Sequence, residues 1–427
     1  MSRPSIGYAR AMDLRRSLAP ASLLVVSVAC SGGTGDAGTA SESASTSTSA
    51  SASTGSTGSA GGSSTGGGES TGSGGESSTS GTTGGPPEPE VMTLMEGVIF
   101  YDGYAGTVDE PVPAGILRHT NALVATRFDD AMLAKVQETM KVGVIIGARC
   151  DNYDRIGSVN LAMVPKGAQS YVPAEVERIE VARFITPFMD MNRSPKTVPY
   201  EWDAPNLVPI LKDPELRAAY DFWWELSVFG VPYAAQKEVS GCAGRIDTQA
   251  GTLLLYTDSM APAQEFGVLL PLAIGADFNN YAEGASDMIG TTRKTIPFAL
   301  PAASEEAQLV LITSNHGAND GGEEYIRRDH FVYVDGAEVH SYKPGRTSCE
   351  PFRYYNTQGN GIYGQKPRSD AEWQSFSNWC PGDVIDTRVI PLGAMAAGEH
   401  EFVIDVPDAA FVGGQGNFPL SLYVQAR

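Results

Sequence analysis

The chain is poor in the residues that build metal centres. It has five histidines and five cysteines in 427 residues. His119, His316, His330, His340 and His400 show no ligand spacing, so no metal and no cofactor is expected. Basic side chains are scarce too: 30 Lys and Arg against 50 Asp and Glu leave a formal charge of -20. That balance excludes nucleic acid as a partner, which needs a basic face. Past residue 30 no apolar run reaches the ~20 residues of a membrane-spanning helix. No Gly-x-Ser-x-Gly elbow stands out, so a serine hydrolase lacks support. Helical periodicity is sparse. Asp129 to Val142, with Met132, Leu133, Val136, Met140 and Val142 at helical spacing, predicts one helix, and Asp213 to Trp224, opened by Pro214 and Glu215, predicts a second.

The first 90 residues carry no core. Arg3, Arg10, Arg15 and Arg16 precede a short apolar run, Leu18 to Ala29, and residues 1–30 read as an export signal. Ser27-Val28-Ala29-Cys30 resembles a bacterial lipoprotein box without its usual Leu, so lipid on Cys30 is expected, with a plain signal peptide cut near Ala29 as the alternative. Residues 31–90 are almost wholly Ser, Thr, Gly and Ala with a few acids. Such a segment cannot bury enough apolar surface to offset its ordering entropy, so it reads as a disordered tether. The expected setting is an exported, outer-membrane or cell-surface lipoprotein, touching the membrane only through its lipid, or else a secreted one. The expected state is a monomer.

From Val91 onward, short β-type runs alternate with turn signals. They include Gly97–Tyr101, Val142–Ile146, Ile179–Ile185, Thr252–Tyr256, Gln308–Ile312, Phe331–Val334, Glu401–Asp405 and Leu420–Val424. Asp335-Gly336 marks a two-residue hairpin, whose turn needs positive φ at both positions. The spacing predicts an all-β chain of antiparallel sandwiches or jelly rolls. Pro and Ser at 257–264 suggest a boundary, giving units of 91–260 and 261–427. Four cysteines remain after Cys30, namely Cys150, Cys242, Cys349 and Cys380, and two disulfides among them allow three pairings.

The chemistry gathers at Cys150-Asp151-Asn152-Tyr153-Asp154-Arg155, just after the Val142–Ile146 run. Read as a strand, it puts Asp154 and Arg155 on opposite faces, and its plain reading is a solvated edge or turn. Together with Arg183-Phe184-Ile185-Thr186-Pro187-Phe188 it resembles the N-terminal domain of the peptide-N-glycosidase F family, whose stretches read Cys-Asp-Glu-Trp-Asp-Arg and Arg-Phe-Ile-Thr-Pro-Tyr. Two later blocks resemble the same family in order: Gly322-Glu323-Glu324-Tyr325-Ile326-Arg327-Arg328-Asp329-His330, and Asn378-Trp379-Cys380-Pro381-Gly382 with Thr387-Arg388.

The resemblance implies two tandem eight-stranded antiparallel jelly rolls. It implies metal-free hydrolysis of the amide between N-acetylglucosamine and Asn, with an N-linked glycoprotein or glycopeptide as substrate. On it, Asp154 and Glu324 match the essential acids, Arg155, Asp151 and Trp379 match binding positions, and Cys349 pairs with Cys380, leaving Cys150 with Cys242. Without the resemblance, Glu323-Glu324 beside Arg327-Arg328 reads as a charged exposed edge, and Trp379 as core. Tyr153, Tyr325 and Phe188 keep rings where the family lines its glycan site, whereas Met189 and the position near Asn315 do not. A third family acid falls on Val231 in one alignment and on Glu238 in another. The competing reading is a non-catalytic surface protein that binds glycans or a partner. A resemblance to the core of copper-dependent peptidylglycine monooxygenases is not supported by the scattered histidines.

Overall fold

The computed structural model describes residues 89–260, 266–278, 291–317, 323–410 and 417–427. The expected export signal, Cys30 and the tether up to residue 88 lie outside the described residues. No described helix is long and apolar enough to cross a membrane.

The first half contributes β1 (Glu90–Tyr101), β2 (Ile116–Thr120), β3 (Leu123–Phe128), β4 (Thr139–Ala148), β5 (Ile156–Pro165), β6 (Glu177–Ile185), β7 (Thr197–Asp203), β8 (Tyr220–Val228) and β9 (Asp247–Asp258). The second contributes β10 (Val268–Phe278), β11 (Arg293–Leu300), β12 (Ser304–Thr313), β13 (His330–Val334), β14 (Ala337–Tyr342), β15 (Val384–Ile385), β16 (Arg388–Met395), β17 (Gly398–Asp405) and β18 (Phe418–Ala426). They form four sheets, ordered β1-β9-β4-β7, β15-β6-β5-β8-β3-β2, β10-β18-β12-β16 and β11-β17-β13-β14. The chain is therefore all-β, with two antiparallel sandwiches in tandem. The first encloses Phe100, Val144, Phe184, Trp224 and Leu253. The second encloses Leu309, Val332, Phe402, Ile404 and Leu422. Each such side chain contributes roughly 1.5–3 kcal/mol by leaving water.

Both helices expected from the sequence are shorter than predicted. The first spans only Asp130–Leu133, capped by Asp129, whose carboxylate accepts the Met132 N–H at 2.8 Å. Met140 and Val142 belong instead to β4, which pairs with β9 on one side and β7 on the other. The second spans Pro214–Ala219, and Tyr220 onward is β8, inserted between β5 and β3. In both cases two ladders of backbone hydrogen bonds override a short stretch of helical spacing. The Asp335-Gly336 hairpin forms between β13 and β14, with φ of 51° and 80°.

The two halves are locked along β6. Glu180 and Arg183 sit three apart, so in a regular strand they would face opposite sides. The ladder to β5 skips Val181, passing from Ala182 opposite Val159 to Glu180 opposite Asn160. This bulge turns both side chains outward. Arg183 forks onto Glu180 with two contacts of 2.7 Å and reaches Ser314 Oγ at 2.9 Å and Pro419 O at 2.7 Å. The Ser421 hydroxyl donates to Glu180 from the far side. All nine residues of β18 are buried because both of its faces are covered. Leu420, Leu422 and Val424 fill the second core, while Ser421, Tyr423 and Gln425 meet the first half. Finally β15, from the second half, pairs with β6 through Val384–Phe184 and Ile385–Arg183.

Candidate active site

Cys150–Arg155 is a loop between β4 and β5 rather than a strand, so the alternating-face expectation does not apply. It is braced from four directions. Cys150 is disulfide-bonded to Cys242, and its N–H donates to Asp247 O at 3.0 Å. The Asp151 carboxylate takes Arg155 Nε at 2.7 Å and Nη2 at 3.2 Å. It also takes the N–H groups of Val231 at 2.7 Å and Tyr153 at 3.1 Å. Thr186 closes the fourth side, its Oγ1 accepting the Arg155 N–H at 2.8 Å while its own N–H donates to Arg155 O at 2.7 Å. This explains why the Cys150–Arg155 and Arg183–Phe188 stretches belong together: one holds the backbone of the other.

Asp154 stands apart inside this frame. The residue is half-buried, but its Oδ2 is sealed from solvent and accepts no hydrogen bond. An isolated carboxylate in that position is costly to ionise.

Glu323 and Glu324 are not an exposed edge. Glu323 is fully buried, with Arg328 Nε at 2.7 Å, Arg328 Nη2 at 3.0 Å and the Ala410 N–H at 2.8 Å on its carboxylate. Arg327 spends its guanidinium on the carbonyls of Ser377, Arg346 and Trp373. Glu324 is 8% exposed, and its carboxylate accepts the Gly317 N–H at 3.0 Å and the Tyr325 hydroxyl. Asn378 clamps the Glu324 carbonyl from its side chain at 2.6 Å and its N–H at 3.2 Å. The next residue, Trp379, donates its indole N–H to Asn315 O at 3.0 Å. Cys380 is bonded to Cys349, so both expected disulfides are present.

The structure brings Asp154 and Glu324 together although they lie in different halves. Burial, reinforced by the charge of Glu324 and opposed by Arg155, raises Asp154 from 3.8 to about 8. Burial also raises Glu324, against the Tyr325 and Gly317 hydrogen bonds that favour its charged form. Tyr325 is raised by burial and by both carboxylates, so its hydroxyl stays a donor. Glu324 keeps two donors on its carboxylate and Asp154 Oδ2 has none, so at neutral pH the proton sits on Asp154.

A cleft of about 390 Å³ is lined by Tyr153, Phe188 and Glu238 from the first half and by Tyr325, Phe376 and the Gln358–Ile362 loop from the second; Asp154 and Glu324 are not in its lining but are the chain neighbours of Tyr153 and Tyr325, which are. Tyr153 and Phe188 sit 5.6 Å apart, and Tyr325 stacks on Phe376 at 5.3 Å and 8°. Glu238 accepts from Asn152 Nδ2 at 2.7 Å, while Val231 faces away from this role and serves Asp151. Of the two positions left open by the sequence, Glu238 lines the cleft. Phe376 and the Gln358–Ile362 loop were not singled out from the sequence; a lone ring and a Gly-Asn-Gly run carry no local signal of a cleft. Arg155 lies beside the Tyr153 ring, 5.7 Å from its centre. Two expected binding residues sit deeper than a ligand contact requires. Asp151 is spent on bracing the loop, and Trp379, 5% exposed, packs with Ile185, Ile312 and Ile385. Met189 and Asn315 are buried at 2% and 1%. Among the described residues no group of His, Cys, Asp and Glu could hold a metal ion.

Two antiparallel sandwiches meeting over a pair of acids, one from each, define a double-jelly-roll protein with an interfacial acid site. The family model for the N-terminal domain of peptide-N-glycosidase F matches residues 90–243, and the model for its C-terminal domain matches residues 285–425. The chain belongs to the peptide-N-glycosidase F family. Solved structures of the same fold include PNGF-II, at 20% identity and a TM-score of 0.57, covering 79% of this chain and 65% of that one. Recombinant PNGase F matches at 16% identity and a TM-score of 0.53, covering 80% and 96% of the two chains. PNGase F of Flavobacterium meningosepticum, described as a glycosylasparaginase, matches at 13% and 0.50, covering 80% and 96%. No curated protein matches the sequence.

Proposed function

We propose that this protein is a metal-free amidase that hydrolyses the amide between Asn and N-acetylglucosamine in N-glycoproteins, leaving Asp and a glycosylamine, which loses ammonia in water to give the free glycan. The observation that carries this reading is Asp154: a carboxyl whose Oδ2 is sealed and unpartnered, raised to about 8, next to a second acid held by the Gly317 N–H and the Tyr325 hydroxyl. Glu324, as base, takes a proton from water as the water oxygen attacks the amide carbon. The C–N bond breaks, and Asp154 gives its proton to the departing nitrogen. Arg155 and Glu238 are assigned to sugar or carbonyl hydrogen bonds, Tyr153, Phe188, Tyr325 and Phe376 to the apolar faces of the sugar, and Asp151 and Trp379 to positioning. Residues 91–260 and 261–427 act as the two jelly-roll units. Export, with lipid on Cys30 and the tether as spacer, completes the reading, and palmitate labelling tests it: an unlabelled protein means a secreted form.

A second reading is a glycan-binding surface protein without turnover, favoured by the buried, non-aromatic Met189 and Asn315. Incubating the full chain with a denatured N-glycoprotein separates the two. Glycan release with conversion of Asn to Asp establishes the amidase; binding without release establishes the alternative.

A further inference from the structure

We infer a second sugar-binding platform on the rim of the first half, built from Tyr104 and Tyr233 and lying about 10 Å from the Cys150–Arg155 loop, two strand spacings across the sheet. Its ligand class, the outer rings of a neutral glycan whose core occupies the cleft, rests on the function proposed above.

Tyr104 is 74% exposed and Tyr233 49%, the former the most exposed large apolar side chain among the described residues. Rings left in water at such cost are commonly there for a ligand. They are neither isolated nor loose. Asp102 Oδ1 accepts the Tyr104 N–H at 3.1 Å, and the Gly103 N–H donates to Gly230 O at 2.8 Å, which ties the turn carrying Tyr104 to the one carrying Tyr233. The Tyr104 ring rests edge-on against Phe229, with centroids 5.2 Å apart at 75°. Gly103 must be glycine for this, since a Cβ would meet Phe229 at 2.6 Å. Asn121 ties the turn down through the Asp102 carbonyl at 2.8 Å.

The chemistry fits a pyranose. Such a ring has an apolar C–H face, which lies on an aromatic ring, and a hydroxyl edge, which needs acceptors. Asp102 is 5% exposed and braces the turn, so the tyrosine hydroxyls are what meets the hydroxyl edge. A chain of net charge -20 favours a neutral ligand over an anionic one. The platform is also continuous with the site loop. The Cys150 N–H donates to Asp247 O, and the Asp102 N–H donates to Ile246 O beside it. Two residues before Tyr233, the Val231 N–H braces Asp151.

The test uses the full chain carrying Asp154→Asn, so that ligand is not turned over, and two probes, a free biantennary N-glycan and N,N′-diacetylchitobiose. Calorimetry should show Tyr104→Ala with Tyr233→Ala weakening the branched glycan about tenfold while chitobiose binds unchanged. Phe at both positions should recover most of the loss. Equal weakening of both probes, no weakening of either, or no binding of the branched glycan overturns the platform. Platform-dependent binding without hydrolysis by the native chain removes only the amidase reading. Hydrolysis of a branched glycopeptide with an unchanged KM in the two-Ala variant removes only the platform.

Discussion

The loop around Asp154 and the segment around Glu324 come from different halves, yet they are built alike. Each carries two acids and one bracketing arginine. Asp151 is forked by Arg155 four residues on, and Glu323 by Arg328 five residues on. In each, the bracketed acid is saturated and buried, and the other acid is the one that meets its counterpart from the opposite half. The difference lies in the free acids. Glu324 keeps two donors, Gly317 and Tyr325, whereas Asp154 Oδ2 has none. Equal burial would raise both; unequal hydrogen bonding decides that the proton rests on Asp154. A bracketing ion pair thus acts at a distance from the chemistry, by holding a backbone rather than by touching a substrate.

Removing the proton carrier is the sharpest way to break this comparison. Asp154→Asn should abolish glycan release while circular dichroism stays native; undiminished turnover would end the role given to this residue. Its stability should also change with pH in a defined way. Asp154 titrates at about 8 folded and 3.8 unfolded, so the unfolded chain loses its proton first and stability falls as pH rises between those values. The difference in unfolding free energy between the native chain and Asp154→Asn should trace that fall, and a flat difference would contradict a protonated Asp154.

Glu324→Gln should cost at least about 10²-fold in kcat, the usual scale for a general base. The two brackets should differ in weight. Arg328→Ala strands a fully buried Glu323 with one remaining donor and should cost about 3–5 kcal/mol in denaturant melts. Arg155→Ala leaves Asp151 with two backbone donors and should cost less; the reverse order would mean the donors do not compensate. The smallest effect belongs to Tyr325→Phe. It takes one donor from Glu324, so the acidic limb of the pH–rate profile should move upward.

Much of the architecture was readable from short β-branched runs and turn dipeptides, because strand alternation and positive-φ turns are local. The misread helix at 129–142 shows where that stops: Met140 and Val142 satisfy both periods, and the choice is made by β7 and β9, distant in sequence. The pairing of Asp154 with Glu324 had no local signal either, and came only from motif resemblance. The burial of Glu323 and Arg183 was invisible because their partners are remote or irregularly spaced. Arg183 meets Ser314 and Pro419, 131 and 236 residues away, and reaches the required face only through the bulge at Val181.

The two residues of β15 carry a consequence for how the molecule can be divided. They cap the outer edge of β6 with backbone from the opposite half. Cut free of residues 261–427, the first half would present β6 as a raw strand edge with Phe184 and Ile185 on it, a template for pairing with other chains. Expressed alone it should aggregate, and supplying the second half in trans should return it to solution.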